Sequence, residues 1–496
     1  MVVTKSNIDA RRVSGGTYAA EGVMLRFRST RGRILDNTFP CQSKNKKKAQ
    51  DGVESVGGIF PQGQDSRPLR LRVIEMQPKQ KAFFGWLTLG ALCSGTVPAF
   101  GQSTNLIQAE VDSVVEESLW TLGPLRLTPQ IRLGAGYDSN SLSSSETPMD
   151  DFAATVAPGI RVATAMGNRA IIDVFQELGF VYYQQIEGLR DVSTATRIGG
   201  TVGGRRVLFR IEDEFFGGNA RPTSEFDVPA ESRSNALEAA LEVALGTKHL
   251  LTTSYRYHRA DYEDIVVDPL RTIDLLNRTT QTYGLRLTRR LTGKTSAAVE
   301  GSYELMDFEE GASLRDGHAV IGSAGLLFNP KTNVRGEAWL GYKQMQPEFP
   351  AQPEYQGIVG SVDVQTRLGE RLDVTTLYSR DTLPSVVAGN WYFIEHRFGG
   401  AVDLYVTRSF YVSPGATFGR NNYPRPTTLV DEDGQLVQEP IEDRFDIYSL
   451  GFNYRMGELW TASLEGNYLD RESNFRPFTK DRFYLSFGIS TSITKP

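Results

Sequence analysis

Downstream of Leu125, apolar and polar residues alternate with a period of two. The last stretch shows the pattern best: Phe483, Leu485, Phe487, Ile489 and Ile493 alternate with Tyr484, Ser486, Gly488, Ser490 and Ser492. Fully extended, such a segment is oily on one face and small and polar on the other. Eighteen candidate strands carry this pattern, near 126–137, 152–164, 171–183, 192–203, 207–216, 234–245, 250–262, 279–290, 296–306, 318–328, 333–343, 356–368, 372–380, 392–406, 410–420, 444–456, 460–469 and 482–494. Each is close to the roughly ten tilted residues that cross a hydrocarbon layer.

The connections sort by length. Met166-Gly167-Asn168-Arg169, Gly203-Gly204-Arg205-Arg206, Leu245-Gly246-Thr247-Lys248, Leu368-Gly369-Glu370-Arg371 and Met456-Gly457-Glu458 are tight, with glycine supplying turn dihedrals. Residues 217–232, 263–277, 307–317, 344–354 and 421–442 form longer connections rich in acid, proline and serine. This sorting predicts an all-β fold, a transmembrane antiparallel up-and-down β-barrel of about 18 strands with short periplasmic turns and long external loops. An even strand count places both mature termini on the periplasmic side. A propeller would need short connections on both faces and a visible repeat.

Within the strands the two parities separate. Val334, Ala338, Leu340 and Tyr342 are expected to face lipid, with Arg335, Glu337, Trp339 and Lys343 facing inward; Val402, Leu404 and Val406 likewise oppose Asp403 and Tyr405. The lumen-lining candidates are Arg210, Glu212, Arg256, Arg286, Glu300, Arg335, Glu337, Lys343, Asp363, Arg367, Asp403, Arg455 and Glu465, with Glu214, His258, Glu304 and Asp373 on the same parity. A charge on the lipid side would cost about 2–4 kcal/mol at mid-depth, so their segregation from Val, Leu and Ile supports this register. Aromatic residues cluster toward strand ends, including Tyr137, Tyr183, Phe215, Tyr262, Tyr342, Tyr378, Tyr392, Phe418, Tyr454, Trp460 and Tyr468, as expected of interfacial girdles.

Composition alone would suggest a soluble protein: 496 residues, 40% hydrophobic, net charge −5. A membrane barrel hides its lipid face in every second residue, so this average is uninformative. The 48 glycines and 10% aromatics suit many strands and turns. The absence of a strongly basic domain argues against a nucleic-acid partner. Residues 76–101 read as a secretory signal, with Lys79 and Lys81 ahead of an apolar run and cleavage expected between Gly101 and Gln102. Residues 1–75 are polar and aperiodic, the composition of an unstructured extension or of a start assigned too early. Both cysteines, Cys41 and Cys93, precede the cut, so disulfides and cysteine metal sites are not expected in the mature chain. Residues 102–124 form a periplasmic segment in which Ile107, Val111, Val114, Val115 and Leu119 fall at helical spacing. It reads either as a short amphipathic helix that plugs the barrel or meets a partner, or as a linker to the first strand.

Catalytic motifs are not found. His249, His258, His318 and His396 sit in or beside different strands without metal-ligand spacing. Gly293-Lys294-Thr295 lacks the upstream glycine of a phosphate loop, because Thr288 stands there, and it falls in a hairpin. Glu212 and Glu214 form a carboxylate pair on one strand face that a charged lumen wall explains. Neither an enzyme nor a cofactor or metal is therefore expected.

Leu127-Thr128-Pro129-Gln130-Ile131-Arg132-Leu133-Gly134-Ala135-Gly136-Tyr137-Asp138-Ser139-Asn140 resembles the opening strand of BBP2-like bacterial outer-membrane barrels, similar to barrels associated with exopolysaccharide and exosortase systems. The resemblance is sharp over this opening and diffuse beyond it. It implies a bacterial outer-membrane location, passage or tethering of an envelope polysaccharide or another polar solute, and no catalytic residue to carry over. Its expected partners are outer-membrane lipid, the barrel-assembly machinery and polysaccharide export components. The ending Ile493-Thr494-Lys495-Pro496 departs from the terminal aromatic of many such barrels. Two functions are expected to compete: a porin-like channel for polar solutes, extending to exopolysaccharide export, and a non-transport structural or adhesive barrel that binds ligands through external loops, chiefly 421–442.

Overall fold

The computed structural model describes residues 118–491 apart from 226, 264–272, 310–313, 330–331, 388, 431–435 and 458, and upstream of them only 26–28, 34–36, 107 and 111. The signal segment, its cut at Gly101 and Gln102, and the last five residues lie outside the described residues. Eighteen long strands close into one antiparallel barrel: β1 (Leu125–Asp138), β2 (Asp151–Met166), β3 (Ala170–Tyr183), β4 (Asp191–Gly203), β5 (Val207–Ala220), β6 (Ala230–Leu245), β7 (His249–Tyr262), β8 (Arg278–Arg290), β9 (Thr295–Phe308), β10 (Gly317–Phe328), β11 (Val334–Pro347), β12 (Tyr355–Leu368), β13 (Leu372–Pro384), β14 (Tyr392–Tyr405), β15 (Phe410–Asn422), β16 (Glu442–Met456), β17 (Trp460–Ser473) and β18 (Lys480–Thr491). Each pairs with its sequence neighbours, and β18 returns to β1.

Every expected strand is present, and the differences lie at the ends. Several run further toward the long loops than the apolar count predicts: β5 reaches Ala220, β13 reaches Pro384 and β17 reaches Ser473. The alternation that marks a strand fades where its outward face leaves hydrocarbon, yet the backbone ladder continues as a rim. At the opposite end Gly246 and Gly369 adopt φ of +76° and +65°, the left-handed conformation that lets two strands reverse within a few residues. The ladder is missing at Pro158 between β2 and β3 and at Pro414 between β14 and β15, since proline brings no N–H.

Side chains alternate as expected for a cylinder greased on its outside. Leu340 is 65% exposed and Tyr342 53%, whereas Trp339 is 7% and Lys343 1% exposed. Glycines make room for inward rings: a Cβ at Gly419 would stand 2.0 Å from the Phe445 ring, and one at Gly325 2.5 Å from that of Trp339. Three tyrosines expected in a girdle are buried instead: Tyr183, Tyr262 against Ala230, Ala260, Leu276 and Val386, and Tyr392 among Met306, Met345, Tyr355 and Trp391. All three stand at the long-loop ends of their strands, where folded-in segments offer apolar partners.

The seam between β18 and β1 is the shortest among the described residues. Seven described positions pair, Arg132 to Asp138 with Ser490 to Tyr484, against fourteen between β6 and β7. Side chains reinforce it. The Arg482 guanidinium grips both oxygens of Asp138, with Nε 2.7 Å from Oδ1. The Ser139 N–H donates to the Phe483 carbonyl at 2.9 Å, and the Phe483 N–H donates to Ser139 Oγ at 2.8 Å. The Tyr-Asp-Ser-Asn run that opens the barrel thus forms its clasp. Trp120–Leu122 lengthens β1 by pairing back onto Leu125–Leu127.

Candidate functional site

The inner wall is charged, and most of its charges meet an opposite. Arg210 pairs with Glu242, and Arg256 with Glu238 at 2.9 Å. Arg286 and Glu300, both expected at the lumen, meet at 2.6 Å, with the guanidinium 4.9 Å from the Trp339 ring centre. Arg335 and Arg367 converge on Asp373 at 3.3 and 2.6 Å, and Lys343 reaches Asp381 at 3.4 Å. Asp403 accepts from Ser413 Oγ at 2.7 Å, and Glu465 from Asn467 Nδ2 at 3.3 Å. Glu212 lies opposite Glu238, Glu337 opposite Asp363, and Arg455 opposite Thr461, in register. The thirteen candidates therefore lie on the inner parity of nine strands between β5 and β17 rather than gathering at one point. Other inward pairs, Arg132 with Glu177 and Arg161 and Arg197 with Asp173, depend on cross-strand register, which a single strand does not reveal.

At the short-turn end, Ile107 and Val111 are helical and buried against Ala163, Ile171, Leu208, Ala244 and Leu250. The first of these wall residues belong to β2 and β3 and the rest to β5, β6 and β7, all on the inner parity. Four residues apart on a helix, Ile107 and Val111 share one face.

The long-loop end is where distant parts of the chain meet. The connection between β5 and β6, expected to project outward, folds in at residues 221–229, and Arg221, Thr223, Ser224, Glu225 and Asp227 are buried. Its contacts lie across the ring. Ser224 Oγ is 3.4 Å from Asn421 Oδ1 at the end of β15, and Asp227 pairs with Lys480 at the start of β18. Arg221 donates to the Ser141 carbonyl at 2.9 Å, in the connection from β1 to β2. The Glu225 carboxylate accepts from Ser385 Oγ and from the Val386 N–H, both at 2.6 Å, in the connection from β13 to β14. Between β5 and β15 lie nine strands one way round and seven the other, so the segment crosses the mouth. For eighteen strands spaced about 4.7 Å and tilted about 40° the backbone cylinder is roughly 35 Å wide.

A charge network secures the crossing. Arg471 holds Asp443 with two hydrogen bonds of 2.8 and 2.7 Å, donates to the Glu225 carbonyl at 3.3 Å and stands 4.0 Å from Asp227. Lys480 also donates to the Ser143 carbonyl at 3.1 Å, and Arg315 donates to the Ser385 carbonyl. Burial alone would raise the pKa of Asp227, but Lys480, Arg471 and Arg221 hold it down to about 2. Glu225 differs: burial pushes it up to about 7, with Ser385, the Val386 N–H, Arg315 and Tyr423 only partly offsetting that.

This sets the sign of a pH effect. Docked, Glu225 binds its proton more tightly than an exposed glutamate of pKa near 4.5, so its support for the docked segment is full below about pH 4.5 and is lost as pH rises through about 7. The linkage amounts to roughly 3 kcal/mol. Limited proteolysis of the folded barrel between pH 5 and 8 is expected to cut within residues 221–229 faster at the alkaline end, and Glu225→Gln is expected to flatten the profile. An unchanged profile in the variant would assign the titration elsewhere.

Ser385, Arg471, Lys480 and the charged residues of 221–229 were not visible as site residues in the sequence, where 217–232 has the polar composition of any external loop.

The family model described as "Putative beta-barrel porin 2" matches residues 120–490. Comparison with curated proteins finds no match. Solved structures similar to this chain include OccK3 (OpdO) of Pseudomonas aeruginosa, at 12% identity over 73% of this chain and 94% of that one, TM-score 0.42. A BenF-like porin from Pseudomonas fluorescens Pf-5 aligns at 8% identity over 74% and 99%, TM-score 0.44. The FrpB iron transporter of Neisseria meningitidis aligns at 11% identity over 70% of this chain, which spans 62% of FrpB, TM-score 0.38.

Proposed function

This chain belongs to the beta-barrel porin 2 family, and from that premise we propose that it forms a channel for polar solutes, narrowed at its long-loop mouth by residues 221–229. It is a porin-like outer-membrane β-barrel. The observation that carries the channel reading is the crossing segment: Asp227 on Lys480, Glu225 on Ser385 and Val386, and Arg221 on Ser141 tie one inward loop to the far side of the ring. Matched charges on the inner wall favour polar and zwitterionic solutes over one sign of ion. The purified protein is expected to add discrete conductance steps to a planar bilayer; stable insertion without ion flux would overturn the proposal.

In this reading the long loops face outward and both mature ends face the periplasm. An epitope placed within 431–435 is then accessible on intact cells, and protection of that epitope would reverse the orientation. Exopolysaccharide export is the second reading. A polymer needs the crossing segment to swing aside, so the docked mouth favours small solutes. Liposome swelling with oligosaccharides of rising length separates the two. The adhesive reading draws support from the hairpin Thr427–Val430 with Leu436–Glu439, which gives the connection between β15 and β16 an ordered framework.

A further inference from the structure

The outer wall carries a row of basic side chains. Arg380 on β13 lies directly opposite His396 on β14, His396 opposite Arg420 on β15, and Arg420 opposite Arg444 on β16. All four share the parity of the exposed residues Phe398 and Phe418 and so face away from the barrel. One step toward the short-turn end runs a row of rings, Tyr378 opposite Phe398 and Phe398 opposite Phe418.

Like charges directly opposite on neighbouring strands destabilise a sheet. On the inner wall many arginines are matched by a carboxylate instead, as in Arg286 with Glu300. At its β16 end the row is matched: Asp446 lies 2.8 Å from Arg444 and Glu472 stands directly opposite it on β17. Among the described residues no acid pairs with Arg380 or Arg420, and Arg380 Nε is buried without a hydrogen-bond partner. The stretch from Arg380 to Arg420 therefore lacks a counter-anion.

Its height identifies the source. The four residues stand eight to twelve positions from the short-turn ends of their strands. At roughly 2.6 Å of rise per tilted residue this is about 21–31 Å, the upper border of an apolar band about 25 Å tall. A ligand there has its charge at the headgroup level and hydrocarbon beside the ring row below. We infer that the wall over β13–β16 is a binding site for the phosphorylated headgroup of an outer-leaflet lipid. Arginine matches phosphate oxygens with paired donors, and the rings below take the first carbons of the acyl chains.

The test uses the full-length protein in detergent micelles, titrated with diphosphorylated lipid A and with its dephosphorylated form, read by native mass spectrometry. The phosphorylated lipid is expected to bind roughly tenfold tighter or more. The Arg380→Gln/Arg420→Gln double variant is expected to lose that preference, and the Arg380→Lys/Arg420→Lys variant to keep most of it. Removing like charges should leave the heat-dependent gel mobility of the barrel unchanged. A glutamine variant that keeps the preference overturns the inference. So does inorganic phosphate that displaces the lipid at equal concentration, which would mark a free-anion site. The inference rests on the proposed orientation only for the leaflet that supplies the lipid, and epitope protection on cells can fail without affecting this titration.

Discussion

Excising residues 222–228 and joining Arg221 to Pro229 through a short glycine-serine bridge raises single-channel conductance several-fold, because it removes the segment that crosses the mouth while leaving every barrel ladder intact. Unchanged heat-dependent gel mobility would show that the wall has survived. Asp227→Asn should open the same route by electrostatics. It withdraws the charge that faces Lys480 and Arg471, leaving two buried cations 4.0 Å or less from the vacated carboxylate and a third, Arg221, nearby. Losing one partner of a buried pair costs about 3–5 kcal/mol, enough to undock a segment held by a handful of hydrogen bonds. Equal conductance in both variants and in the parent chain would place the constriction elsewhere.

The second large effect is expected at the seam. Arg482→Ala leaves Asp138 buried without its two-pronged partner where seven described positions pair. The expected loss is about 3–5 kcal/mol, seen as a lower temperature for the shift from compact to unfolded gel mobility. Arg482→Lys should recover part of it, since an ammonium cannot engage both oxygens in the planar geometry of a guanidinium. The Asp138→Ala/Arg482→Ala double variant should melt higher than Arg482→Ala alone, because no orphan charge remains. Arg286→Ala is the control: it breaks an inner pair between β8 and β9, where thirteen positions pair, and should lower the transition less. Equal losses at the two sites would remove any special role from the clasp.

The wall was legible in the sequence because the hydrocarbon layer imposes a local rule, apolar outward at every second residue, which β11 obeys from Val334 to Tyr342 and β14 from Phe398 to Leu404. Turn positions followed from glycine, as at Gly246 and Gly369. The mouth was not legible. Residues 217–232 and 421–442 are both rich in acid and proline, yet one folds inward and the other forms the hairpin Thr427–Val430 with Leu436–Glu439. What separates them is the set of distant partners, Ser385, Arg471 and Lys480, and no local pattern records a partner 160 or more residues away. Tyr183, Tyr262 and Tyr392 were misplaced for the same reason. The inner parity of the lumen candidates could be read residue by residue, but which of them pair depended on register.

The span in sequence of the contacts at the mouth bears on the chronology of assembly. Ser224 meets a residue 197 positions later, and Asp227 one 253 positions later, on the final strand. Contacts this remote form late, after the chain between them is ordered. A barrel caught before its last hairpins join has a wall without a lock, so leakiness to small dyes would report unfinished copies, and resistance to them would certify completed ones.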